Sequence, residues 1–310
     1  EIAQCLVGSE MCIRDSIPTV LTMTVVPILG AGSSMADYRI GFKWWAFIIA
    51  VVFVISELVC VACVPERPVA CDEKPGKISD MFKALFKNDQ AMTVVVSIIL
   101  VYTSLNICGN LVLYFFRFDV GNEGAYSIFA AVAFAAQVLV MMVIPLLRKR
   151  FSKSQLFISG FIIQIAGFAV ILIMAFAKLY TPQSWYILCL PGILIYLGYG
   201  MLNVIMTIFL SDSVDYGEVM NGTREESVIF SMQTFTVKLA SGVAVFLAGL
   251  VVDWIHLDTA AAVQTQDTLD ALRMWMTIPS VILLIVGIFV FKRFYKLDDT
   301  RMEEIKSKLN

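Results

Sequence analysis

Hydrophobic positions along this chain come in long unbroken blocks, not in the alternation of a half-buried strand. Eight stretches, 17–36, 44–64, 91–116, 124–147, 154–177, 185–211, 227–252 and 274–291, are apolar almost throughout. A helix needs about 20 such residues to cross a bilayer core. Six of the blocks hold no Asp, Glu, Lys or Arg; 44–64 holds only Glu57 and 227–252 only Lys238. The blocks lack the period of two of a barrel strand, and most are too long for one. The pattern therefore predicts an all-α membrane protein with eight transmembrane helices. Two shorter pieces are amphipathic. Residues 78–87 place Ile78, Met81, Phe82, Leu85 and Phe86 on one face, and 298–309 align Met302, Ile305 and Leu309 behind Asp298 and Asp299. Basic amphipathic helices of this kind lie in the membrane interface, so both are expected there, with partner docking as the alternative.

Composition removes the soluble reading. Of 310 residues, 59% are hydrophobic and 15% charged, against about 25% charged in an ordinary soluble domain. The net charge of −2 implies no partner, and no basic face suggests nucleic acid. Position matters more than sum. Sixteen of the 23 Lys and Arg fall after the second, fourth, sixth and eighth blocks, and five on the opposite side. Basic residues gather on the cytoplasmic side, so the first block runs outward, the C-terminus is cytoplasmic, Cys71 is inside and His256 outside. Enzyme signals are missing: His256 is the only histidine and has no second ligand nearby, and there is no phosphate-binding glycine loop. The seven cysteines lie scattered in apolar stretches and read as small buried hydrophobes. No enzyme and no cofactor are expected. Residues 1–16 (EIAQCLVGSEMCIRDS) lack periodicity and resemble translated sequencing-adapter DNA; a natural amphiphilic terminus is the other reading.

Candidate chemistry lies in the polar groups that lipid would otherwise expel. Lys238 sits mid-span, where a lysine costs about 2.5–3.5 kcal/mol on insertion scales. Thr234, Lys238 and Ser241 share one helical face, flanked by Gln233. A functional lysine facing a cavity and a structural lysine paired within the bundle both fit. Tyr196, Gly200, Asn203 and Thr207 form a second stripe, and Thr103, Asn106, Asn110 and Tyr114 a third. Such stripes suit a hydroxyl-rich ligand, or serve as interhelical hydrogen bonding. Gln137 and Gln164 read as helix–helix contacts. The segment 211–227 (SDSVDYGEVMNGTREES) reads as a loop, with a turn at Asn221-Gly222 and a capping box of Thr223 and Glu226. Its Asp212, Asp215 and Glu218, with Arg224, either close a cytoplasmic gate against basic loops or are solvated.

The combined run SDSVDYGE (211–218), GTREES (222–227) and QTFTVK (233–238) resembles the glycoside–pentoside–hexuronide:cation symporter family, of melibiose-carrier type, within the major facilitator superfamily. Support comes from YFF at 114–116, RKR at 148–150, and the stretch from GFKWW (41–45) to Pro65-Glu66. The resemblance implies a bundle of twelve helices in two halves, with these eight as the fifth to twelfth. On it, 17–66 are the last two helices of the N-terminal half, 67–90 a cytoplasmic central loop, 91–297 the C-terminal half and 298–310 a cytoplasmic tail. It implies that Lys238 lies at the sugar and cation sites and that Gln233 and Thr234 line the sugar pocket. Asn203 falls where the family's best-known member has a tryptophan on the sugar, which departs from that substrate. Asn106, Asn110 and Tyr196 complete the expected substrate face. The coupling cation, sodium or proton, is expected on the first four helices, which precede the residues present here. The expectation is thus a cation-coupled sugar symporter of the bacterial inner membrane, present as an incomplete chain that does not transport by itself. A carrier of lipids or amphiphiles, a membrane-embedded enzyme, and a non-transporting interaction protein are the rivals.

Overall fold

The computed structural model describes residues 35–63, 86–222, 226–259, 261, 263–297 and 299–309, and all regular structure among them is helical. Helix α1 spans Met35–Cys63. Helix α2, Asp89–Tyr114, widens into a π-helical turn over Phe115–Asp119. Helices α3 (Ala125–Leu147) and α4 (Lys153–Phe176) follow. A 3-10 turn at Trp185–Leu188 leads into α5, Cys189–Asn221. Then come α6 (Glu226–Trp254), α7 (Gln266–Phe294) and the short α8 (Asp299–Leu309). Seven of these, α1 to α7, are long and apolar enough to cross a membrane.

α1 falls in a different compact unit from α2–α8. It is an apolar helix with Phe47, Phe53 and Leu58 exposed. The block 17–36 lies outside the described residues except for Met35 and Ala36, which open α1. Residues 1–16, most of the amphipathic piece 78–87, and Thr223, Arg224 and Glu225 also lie outside them.

In the second unit α5 packs against α3 and α4, while α2 packs against α6 and α7. Local chemistry sets the helix ends. Asn88 accepts from the Ala91 amide, Ser152 and Gln155 form a capping box, and Thr265 caps Thr268; each satisfies amides that a helix start leaves open. Gly222, at φ 73°, closes α5 in the left-handed conformation. Asn88 also donates to the Ser213 carbonyl at 2.8 Å, and the Gln90 side chain accepts from the Lys296 amide at 2.8 Å. The start of α2 therefore lies at the same end of the bundle as the ends of α5 and α7. A Cβ on Gly198 would stand 2.6 Å from both the Gln164 nitrogen and the Gly160 oxygen, so α4 and α5 cross backbone against backbone. Gln164 sits at that crossing, yet its buried amide makes no hydrogen bond among the described residues; it fills space there and does not bond. Across α2 and α7, Ser104 and Ser280 each donate to the other's carbonyl, at 3.1 and 2.8 Å, beside Pro279.

Expectations change at four places. Residues 211–221 are the last three turns of α5, not a loop, because Asp212 is neutralised inside the bundle, as shown below. α7 begins at Gln266, eight residues before the apolar block, because Arg273 is buried against a carboxylate. In α8, Met302 and Ile305 are buried with Leu297 against Tyr216, Val219 and Tyr295. Its apolar face is used by the bundle itself. α2 also starts at Asp89, two residues before the expected boundary at 91.

Candidate functional site

A polar network crosses α2, α5 and α6. On α2, Tyr102, Asn106 and Asn110 recur one per turn. Asn106 donates to the Tyr102 carbonyl and Asn110 to the Asn106 carbonyl, both at 2.7 Å. From α5, Asn203 donates to the Tyr102 hydroxyl at 2.8 Å, and the Tyr199 ring meets the Tyr102 ring edge-on with centroids 5.5 Å apart. Tyr196 stands next to Tyr199 at 6.5 Å. From α6, Gln233 donates to Thr207 on α5 at 3.3 Å, and Ser241 donates to Asn106 at 3.5 Å. Members of all three polar stripes thus meet through Asn203, Thr207, Asn106, Gln233 and Ser241. Gly200, by contrast, packs toward Val140 and Gln137 on α3, and the buried Thr103 hydroxyl has no hydrogen-bond partner among the described residues. Asn106, Asn110, Tyr196 and Asn203 are half-buried, while Gln233 and Thr207 are buried.

Lys238 and Thr234 take a different position. Both are exposed, and Thr234 donates back to the Phe230 carbonyl at 3.4 Å. Lys238 forms no ion pair among the described residues. It lies on the stripe of Ser241, at the border of the network. Tyr102, Tyr199 and Thr207 add to the residues singled out as the substrate face. Tyr102 lies one turn before Asn106 on α2, but only the packed helices reveal its bond to Asn203.

The expected gate residues divide. Asp212 is buried and receives Lys153 at 2.6 Å. Lys153, the first residue of α4, also lies 3.7 Å from Asp299 at the start of α8, and Arg148 lies 3.6 Å from the same carboxylate. Asp215 and Glu218 follow on α5 and are half-buried; Arg224 lies outside the described residues. Tyr295 packs beside this group, and burial, with the Asp212 and Asp299 carboxylates nearby, pushes its phenol pKa up.

The opposite end holds a cluster that the sequence reading passed over. Asp119, closing the π-helical turn, accepts both Nη2 and Nε of Arg273, at 2.6 and 2.9 Å. Arg273 also donates to Asp270 at 2.7 Å and lies over the Phe176 ring. Tyr180 donates to Asp119; burial, then the carboxylate, pushes its phenol pKa up. The sign was available: a carboxylate just after one apolar block and an arginine just before another, at one membrane face.

Comparison with known proteins follows this geometry. Residues 15–299 match a family described as MFS/sugar transport protein. The chain is 24% identical over 293 residues to an uncharacterized symporter, YjmB, of Bacillus subtilis, covering 94% of this chain and 61% of that protein. It is 23% identical over 297 residues to the raffinose carrier protein of Pediococcus pentosaceus, covering 94% of this chain and 45% of the carrier. It is 24% identical over 286 residues to the isoprimeverose transporter of Lactiplantibacillus pentosus, covering 91% and 57%. The chain spans about half to three-fifths of the length of these relatives.

Proposed function

The chain belongs to the MFS/sugar transport protein family, a family of transporters and not of enzymes, and from that membership we propose that it carries one wall of the sugar site of a cation-coupled symporter. The observation that carries this reading is the hydrogen-bonded network linking α2, α5 and α6. Amides and hydroxyls are costly in a helix bundle that faces lipid and persist where they meet one another, water or a ligand. Lys238, Gln233, Thr234, Asn203, Asn106, Asn110 and Tyr196 line the wall. A sugar offers many hydroxyls, and side-chain amides match them with both donor and acceptor atoms.

The distribution of basic residues supports a cytoplasmic C-terminus in a bacterial inner membrane. α2–α7 act as one six-helix half, and transport proceeds by rocking that half against its counterpart around the site. Asp212, Asp215, Glu218 and Arg224 serve the cytoplasmic gate; the pairing of Asp212 with Lys153 supports this. The coupling ion is sodium or a proton, held outside the α2–α7 half. The polar network weighs against a carrier of lipids.

The test is ion-driven accumulation of radiolabelled glycosides by the full-length protein in membrane vesicles. Lys238→Ala is expected to abolish accumulation while expression and insertion persist. Uptake and coupling at the parental level would remove Lys238 from the site.

A further inference from the structure

The amides of this network are oriented from within the chain. The Thr207 hydroxyl lies 3.1 Å from the Asn203 carbonyl, one turn back on α5, and donates its hydrogen there in the usual back-bond of a helical threonine. Only lone pairs remain on Thr207 Oγ1. The 3.3 Å contact with Gln233 Nε2 therefore runs one way, with glutamine donating. Turning the amide over would set two acceptors against each other. The same holds on α2, where the Asn106 and Asn110 nitrogens face backbone carbonyls, which only accept. In all three amides one of the two N–H donors is spent inside the chain, which fixes the side on which the carbonyl oxygen lies. Among the described residues the Asn106 oxygen has a further, long contact to Ser241.

We propose that Thr207 is a positioning residue that holds the Gln233 nitrogen toward α5, so that the Gln233 carbonyl oxygen is presented to the ligand. At that oxygen the ligand is read through a hydroxyl hydrogen. The substrate class is a neutral polyhydroxy compound with free hydroxyls, and replacement of one of those hydroxyls by fluorine, which cannot donate, is penalised. This inference rests on the sugar-site reading above.

The test uses the full-length protein in vesicles with radiolabelled methyl β-galactoside, methyl β-glucoside and methyl β-xyloside. For whichever is accumulated, the monofluoro-deoxy analogues are compared as competitors. At one ring position or more, the fluoro analogue is expected to compete about 10-fold more weakly, the size of one lost hydrogen bond. Thr207→Val keeps the shape and removes the lone pairs, which frees the Gln233 amide to turn. It is expected to raise KM about 10-fold with the maximal rate within about twofold, and to bring the hydroxyl-over-fluorine preference close to unity. Thr207→Ser is expected to restore both values. If Thr207→Val does not reach the membrane, Thr207→Ala removes the same lone pairs and carries the same expectation. An unchanged preference in a transporting variant, or no rescue by serine, overturns the positioning role. Absence of accumulation for every glycoside in the parental protein overturns the sugar-site reading first, and this inference with it.

Discussion

Two buried ion pairs stand at opposite ends of the α2–α7 bundle, and they are built differently. Arg273 and Asp119 are each 3% exposed and meet through two nitrogens, with Asp270 and Tyr180 completing the set. Lys153 and Asp212 are 6% and 5% exposed and meet through one contact, with a second carboxylate, Asp299, 3.7 Å from the same nitrogen. Burial is nearly equal, so the cost of taking the charges from water is similar. What differs is geometry. A guanidinium fork fixes the angle as well as the distance of its carboxylate, whereas an ammonium is a point charge that tolerates exchange between partners. One end is a clasp that ties the π-helical turn to α7. The other is a contact suited to opening, and it also anchors α8. Partner geometry, not burial, separates the two ends.

The largest effect that would break this comparison lies at the clasp. Arg273→Met leaves Asp119 charged and without its fork. Breaking a buried pair from one side costs about 3–5 kcal/mol, so the variant is expected to lose most of its resistance to unfolding in detergent, and Arg273→Lys to recover only part. A variant within about 1 kcal/mol of the parent, below the range for a broken buried pair, would show that the cluster is no clasp.

A smaller effect is expected at the other end. Asp212→Asn leaves Lys153 with Asp299 nearby, so the loss is expected to be about 1–2 kcal/mol, below the cost of an uncompensated buried charge. The exchanged pair Lys153→Asp with Asp212→Lys is expected to recover much of it. Unfolding curves for the single and double variants measure both, and a single-variant loss equal to that of Arg273→Met would erase the distinction.

The smallest effect is a pH dependence. The Tyr180 phenol is pushed up in the folded protein by burial and by Asp119, so its stabilising contribution is complete below the ordinary tyrosine pKa of about 10. It is lost as pH rises toward the folded value. Stability is expected to stay level from neutral pH to about 9.5 and to fall above that, less steeply in Tyr180→Phe. An equal fall in both would place the sensitivity elsewhere.

Much of the fold was legible because lipid-crossing helices announce themselves by length alone. The blocks at 91, 124 and 154 begin within two residues of α2, α3 and α4. What escaped was the course of a helix through charge. Asp212 follows one apolar block and Arg273 precedes another, but each is neutralised by a residue far along the chain, and no local pattern carries that pairing. The amphipathic face of α8 was visible; what it covers was not, since periodicity does not say whether an apolar stripe meets lipid or protein. The polar stripes of the site followed from helical spacing. The bond from Asn203 to Tyr102, 101 positions apart, and the role of Thr207 did not, because both depend on how helices pack.

The account turns on the network across α2, α5 and α6 being the sugar wall, with the ion pairs holding the two ends around it. The direct measurement is the rate of thiol labelling in the full-length protein carrying Asn110→Cys, Thr234→Cys or, at the clasp end, Thr181→Cys, with and without an accumulated glycoside. The glycoside is expected to slow labelling at 110 and 234 and to leave 181 unchanged. Equal rates with and without sugar at both network positions, in a protein that accumulates that sugar, would contradict the account.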